Sequence, residues 1–228
     1  MAAGCHGAGL WHGELDAGVE LRGDRLLVAT GRRPRADDIG LETVGVKTDG
    51  RGVPVDSRLR GAARLLWAVG DITGIWPLTH VGKCQGGEAV AWNILGEPRE
   101  ADYDAVPRVV FTGPQAAAAG ATEGRFSGTA LLAQLPKTET YTRVYAEGSG
   151  FLTVLADGER LTGAYSLGPE AGEWLQQATL AIRARVPIEV LRDTIQPFPT
   201  FSEIYVEALK SLRAQIAATQ QSAEMAAR

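Results

Sequence analysis

The sequence predicts a protein between the α/β and α+β classes, with an antiparallel sheet covered by helices. Three observations carry that expectation. Short apolar runs bounded by Gly, Pro and Asp come first, and helix-period segments come last. One apolar hairpin, GFLTVLADGERLTGAYSLG, has Asp157-Gly158 at its turn. The segment SEIYVEALKSLRAQIAAT repeats Tyr205, Leu209, Leu212 and Ile216 at steps of four, three and four, an apolar stripe that must be buried.

Taken in order, residues 1–13 are rich in Gly and Ala, show no period and are not expected to fold alone. VELRGDRLLVAT (Val19 to Thr30) reads as two short strands about Gly23-Asp24, with Leu26 to Ala29 as a buried strand. GRRPRADD is a loop, and GVKTDGRGVPVD alternates extended pieces with Asp-Gly turns. RLLWAVGD (Arg64 to Asp71) is a further apolar strand that stops on Gly70-Asp71. Thr79 is placed to cap a helix over HVGKCQGGEAVAWNILG, which Gly96 and Pro98 end. Composition changes near Tyr103, where a domain boundary is expected. Beyond it PRVVFT is a strand, the alanines that follow form a short helical turn, and TALLAQLP is another strand. The hairpin comes next, then two helices over EAGEWLQQATLAIRAR and SEIYVEALKSLRAQIAAT.

A chain of 228 residues fits one large domain or two small ones. Its net charge of −4 supplies no basic field to recruit nucleic acid or anionic lipid. The basic cluster GRRPR (Gly31 to Arg35) reads as a local anion contact or solvated surface, and solvated side chains are the preferred reading of Arg32 and Arg33. No apolar run approaches the roughly 20 residues of a membrane span. The first residues lack the basic leader and apolar core of a signal peptide. Cys5 and Cys84 form no CxxC pair, and His6, His12 and His80 are too few for a zinc site. A reducing cytoplasm is the default location. Cys84, within a helix, reads as a small buried hydrophobe.

Three groups of segments, in this order, resemble the pyridine nucleotide-disulfide oxidoreductases, the family of dihydrolipoamide dehydrogenase, glutathione reductase and mercuric reductase. They are LLVATGRRP, then AVGDITG with LTHVG, then the run from VPRVVFTGP through GPEAGEWLQQATLAIRAR to FPTFSE. The resemblance implies FAD and NAD(P)H as cofactors and a homodimer formed through the C-terminal domain. It makes residues 1–30 the remnant of an NAD(P)-binding domain with an unassigned N-terminal tail. Residues 31–102 become the second part of an FAD-binding domain, and 103–228 the dimerisation domain. The family's GxGxxG units and its closely spaced redox cysteines have no counterpart in this sequence. The chain therefore reads as a C-terminal half, from a truncated reading frame or from a split enzyme whose other chain carries the N-terminal units.

The same resemblance assigns roles. Gly31 lies near the flavin where the chain crosses between domains. Gly70 lets ligand approach the backbone because it has no Cβ, and Asp71 accepts hydrogen bonds from ribityl hydroxyls; a plain strand-ending turn is the bland alternative. Leu78, Thr79 and His80 form the start of a helix whose N–H groups face the flavin pyrimidine, favouring the reduced cofactor. The His80 side chain itself reads as packing or capping. The Gly82-Lys83 pair is no phosphate loop, since Pro77 and Cys84 stand where a Gly and a Ser or Thr are needed.

In disulfide-reducing members the segment equivalent to FPTFSE begins with a histidine that pairs with a glutamate and works on the partner subunit's thiol. Here Phe198 takes the histidine position and Glu203 is kept. Phenylalanine has no exchangeable proton, and the tail QQSAEMAAR has no cysteine pair such as mercuric reductase uses. The remaining expectation is electron transfer from reduced flavin to a non-disulfide acceptor such as a quinone. Glu203 reads either as catalytic or as part of a helix start with Thr200 or Ser202 as cap. A non-catalytic dimerisation or interaction fragment is the alternative. An unrelated α+β ligand-binding protein requires all the matches to be accidental.

Overall fold

The computed structural model describes every residue except 1, 6–10, 15–17, 19, 49, 64, 136–149 and 227–228, and only the backbone of 2–5, 11–14, 20–21 and 226. The chain divides into two compact units, Met1–Ala101 and Asp102–Arg228.

The first unit opens with strands β1 (Ala2–Cys5), β2 (Trp11–Glu14) and β3 (Glu20–Gly23), paired antiparallel in the order β1-β2-β3. Residues 1–13 thus carry two strands where no element was expected. The small residues of β1 give no side-chain period to read, and four residues of β2 are too few to show one, so only the ladder reveals them.

The expected strand Leu26–Ala29 is not one. Leu26, Leu27 and Val28 are 48%, 87% and 68% exposed in an irregular segment. A continuous apolar run signals a strand buried on both faces, and among the described residues no strand lies beside this one. The RLLWAVGD strand also reduces to an isolated bridge between Trp67 and Arg60. Leu65, at φ 63°, turns the chain before it. What packs is a small cluster of Ala36, Val46, Val53 and Ala68, with Leu41, Val55, Ala63, Leu66 and Ile72 against it.

Helix α1 (Thr79–Cys84) runs through a π turn (Gln85–Val90) into α2 (Ala91–Ile94). Its end is fixed as the sequence suggests. Gly96, at φ 87°, donates to Asn93 O at 3.3 Å, and Glu97 N to Trp92 O at 2.9 Å, the paired bonds of a Schellman stop.

The second unit is a five-stranded antiparallel sheet ordered β4-β5-β8-β7-β6, from β4 (Arg108–Val110), β5 (Gln115–Gly120), β6 (Phe126–Leu131), β7 (Phe151–Ala156) and β8 (Leu161–Gly168). TALLAQLP is a strand only as far as Leu131; Leu132–Gln134 form a 3-10 turn, and residues from 136 lie outside the description. The expected helical turn of alanines is strand β5. Ala117 and Ala119 face inward opposite Ser166 and Ala164, and this run of small side chains packs under helices α3 (Ala171–Trp174) and α4 (Gln176–Arg183). Close helix approach decides the matter here, not alanine's helix propensity.

Helix α5 (Ile188–Asp193) was not legible as a separate element. Helix α6 (Ile204–Ala226) lies on β6 and β7 and buries Tyr205, Leu209 and Leu212, with Ile216 packed against the cluster. Gly128 on β6 makes this possible: a Cβ there would meet Ala208 O and sit 2.5 Å from Leu212 N. The Tyr205 hydroxyl is held inside, accepting from Ala178 N at 3.2 Å and donating to Trp174 O at 3.1 Å. Burial pushes its pKa up, opposed only by the Ala178 bond.

Candidate functional site

The site is built around one turn. Ala68 is buried and Val69 extended, and the chain then reverses at Gly70, whose φ of 79° admits glycine readily. A 3-10 turn, Gly70–Thr73, follows and ends on Gly74 at φ 71°. Three sets of bonds hold it. The Thr73 hydroxyl donates to Gly70 O at 2.8 Å and accepts from Ile75 N at 3.1 Å. Val53 N donates to Ile72 O at 2.9 Å, with Gly52 beside it so tightly that a Cβ would sit 2.6 Å from that same oxygen. From the helix, the Gln85 side-chain oxygen accepts from Gly70 N at 2.6 Å.

Helix α1 meets the turn at a second point, because a Cβ on Gly82 would lie 3.2 Å from Gly70 Cα. Backbone therefore rests on backbone. The helix begins beside a γ-turn in which Leu78 N donates to Trp76 O at 2.6 Å around Pro77. The N-cap is Leu78, in extended conformation, and Thr79 is the first helical residue; the expectation of a threonine cap is off by one position. The Leu78 side chain makes no capping hydrogen bond. The positive dipole end of the helix falls at Leu78 and Thr79, a setting that favours an electron-rich ligand edge.

The structure brings Gly70, Asp71, Leu78, Thr79 and His80 together through the Gly82 and Gln85 contacts. Thr79 and His80 are exposed and Leu78 is half-buried. Gly31 lies on the neighbouring segment: Arg32 places Nη1 3.5 Å from Asp71 Oδ2, both side chains more than half exposed. That pair is water-screened and contributes little to stability, but it gives Arg32 a partner where the sequence suggested plain solvation. A Cβ on Gly31 or on Gly70 would meet nothing within 4 Å, so the side-chain direction is open at both glycines.

Sequence reasoning missed Gln85. It is fully buried, one helical turn beyond the buried Val81 and one before the buried Ala89. A lone amide in an apolar stripe was the available signal. Cys84, by contrast, lies off that stripe and is exposed, not buried. Among the described residues no group of His, Cys, Asp and Glu is arranged to hold a metal ion, and no helix is long and apolar enough to cross a membrane.

Glu203 belongs to the second unit, in a 3-10 turn (Phe201–Glu203) that leads into α6. Thr200 occupies the N-cap but makes no side-chain cap; its hydroxyl donates back to Pro197 O at 2.7 Å. The Glu203 Oε2 atom is buried with no hydrogen-bond partner among the described residues. Phe198 is 63% exposed.

Two family profiles match this chain. Residues 6–86 match pyridine nucleotide-disulphide oxidoreductase, and residues 106–209 match the dimerisation domain of the same proteins. The chain belongs to the pyridine nucleotide-disulfide oxidoreductase family. Within that family, a dihydrolipoyl dehydrogenase of Chlamydia trachomatis is 38% identical over 197 residues, 81% of this chain and 41% of that protein. Dihydrolipoyl dehydrogenase 3 of Haloarcula marismortui is 35% identical over 209 residues, 87% of this chain and 43% of its own length. Among solved structures, LpdA of Mycobacterium tuberculosis has a TM-score of 0.74 at 27% identity, covering 92% of this chain and 47% of that one. The copper(II) complex of RclA, an HOCl-induced flavoprotein disulfide reductase of Escherichia coli, gives 0.76 at 27%, with 90% and 48% covered. The chain thus spans less than half the length of each of these relatives.

The residues present fit part of the family's flavin. An open glycine turn, a half-exposed carboxylate and a helix start suit a hydroxylated chain and a pyrimidine edge. The described residues include no glycine-rich phosphate loop to hold an adenine dinucleotide end.

Proposed function

We propose that this chain is the flavin-contacting and dimer-forming half of an FAD-dependent NAD(P)H oxidoreductase. The single observation that supports it most is the clamped Gly70–Asp71 turn beside a helix start. In this reading Asp71 accepts from ribityl hydroxyls, Gly31 and Gly70 keep the backbone low enough for contact, and Leu78 to His80 direct N–H groups at the pyrimidine edge. When bound, FAD supplies the hydride and electron chemistry, and these residues bind and orient it. Residues 1–30 represent the tail of an NAD(P)-binding domain, 31–102 the second part of an FAD-binding domain and 103–228 a homodimerisation domain. The phosphate-binding units come from sequence outside this chain's 228 residues, in the same polypeptide or on a separate one, and the assembly works in the cytoplasm.

The acceptor is a quinone or similar non-disulfide compound. Phe198 cannot carry a proton to a thiolate, and Glu203 Oε2 is buried with no imidazole in hydrogen-bond reach among the described residues. Co-expression with an N-terminal half from a dihydrolipoyl dehydrogenase relative tests this. A yellow protein that oxidises NAD(P)H with a quinone, and not with lipoamide, is the expected result. A colourless, inactive mixture overturns the flavin reading, and lipoamide turnover overturns the acceptor. A non-catalytic dimerisation module is favoured instead if that mixture stays colourless while the chain alone sediments as a dimer, as the family match over 106–209 allows.

A further inference from the structure

Gln85 has no assigned role, yet its placement is unusual. A buried glutamine must find partners for its amide, and this one spends its oxygen on Gly70 N at 2.6 Å, fifteen residues back along the chain. It opens the π turn Gln85–Val90, and such insertions in α-helices gather at functional sites. One turn earlier Gly82 lets the same helix rest against Gly70 Cα. The carbonyl of Gly70 is held separately by Thr73 Oγ1 at 2.8 Å. Both polar groups of the Gly70 backbone are therefore fixed, one by the turn itself and one by the helix.

We propose that Gln85 is the positioning residue that locks the Asp71 turn to the helix starting at Thr79, so that the two contacts offered to the flavin keep one spacing. This deepens, and rests on, the flavin reading above. Gln85 touches no ligand; it acts through Gly70. Without its oxygen, the half-buried Gly70 N–H loses its partner or the turn swings away from the helix, and either result loosens Asp71. The Gly82 contact alone resists approach of turn to helix but not their separation.

The test uses the full 228-residue chain carrying Gln85→Leu, which removes the acceptor, or Gln85→Glu, which keeps an acceptor oxygen at the same reach. Amide exchange by NMR reads the lock without any flavin. Gly70 N–H exchange is expected to speed up about tenfold or more in Gln85→Leu, the loss of one part-buried hydrogen bond, while Val53 N–H stays close to wild type and Gln85→Glu restores Gly70. Where Gln85→Leu does not fold, Gln85→Asn, one methylene shorter, takes its place. In the co-expressed assembly, FAD affinity is expected to fall about tenfold with Gln85→Leu and the bound-flavin absorbance to shift, both recovering with Gln85→Glu. Unchanged Gly70 exchange overturns the lock, and changed exchange with unchanged FAD affinity and spectrum overturns its role toward the flavin. A wild-type assembly that takes up no FAD defeats the flavin reading instead, with the exchange arm still deciding whether the lock exists.

Discussion

At the scale of single residues, glycines that share one helix are predicted to behave oppositely. Gly87 is exposed, and a Cβ there would meet nothing within 4 Å. Gly87→Ala should stabilise the chain by about 0.5–1 kcal/mol, because alanine loses less backbone entropy in a helix. Gly82→Ala gains the same term but sets a methyl 3.2 Å from Gly70 Cα, backbone that cannot rotate away. It should be neutral or destabilising, and Gly82→Val clearly destabilising, as urea midpoints would show. Equal gains from the two alanine variants would mean that the helix and the turn do not touch. Asp71, Gly70 and the helix start were legible as a motif, since each sits at an abrupt change from apolar run to Gly-Asp or Pro-Leu-Thr. Gln85 was not. Its meaning depends on a partner fifteen positions away and on a π turn, and neither leaves a local pattern.

At the scale of elements, the fit of α6 on β6 is decided by Gly128. Gly128→Ala drives a methyl into the Ala208 and Leu212 backbone, so a loss of about 1–3 kcal/mol is expected in denaturant unfolding. No loss would show that the helix can slide. The β7–β8 hairpin carries a pH dependence. Asp157 accepts from Glu159 N at 2.8 Å and Arg160 N at 2.9 Å. Those backbone bonds, the Glu159 one foremost, hold its carboxyl below its ordinary value of 3.8. A depressed acid stabilises the fold above 3.8 and loses that contribution as pH falls through the lower folded value. The side chain is exposed, which limits the effect to about 1 kcal/mol or less. Asp157→Asn should flatten stability between pH 5 and about 2 relative to wild type; identical acid profiles would remove Asp157 from the account. This hairpin and the α6 stripe were readable because side-chain period and turn chemistry agree there. The β5 alanines and the chain around Leu26 were misread for a shared reason: their conformations are set by what packs beside them.

At the scale of the molecule, the two units have separate and unequal cores. Among the described residues the first has a cluster of four small buried apolar residues with five others against them, and Leu59, Val81 and Ala89 are buried outside it. The second joins sheet and helices in one larger cluster around residues such as Leu152, Trp174, Leu175 and Leu209. Residues 102–228 expressed alone should therefore fold, with protected amides on β6, β7 and β8 in hydrogen exchange. The first unit should open at lower denaturant in the whole chain. A single coincident transition by all probes, or an unfolded C-terminal piece, would contradict this. The bare ribbon at Leu26, Leu27 and Val28 has a practical consequence. Three greasy neighbours facing water make a seed for clumping, so a concentrated preparation of the chain by itself should turn cloudy with time, and Leu27→Lys should keep it clear.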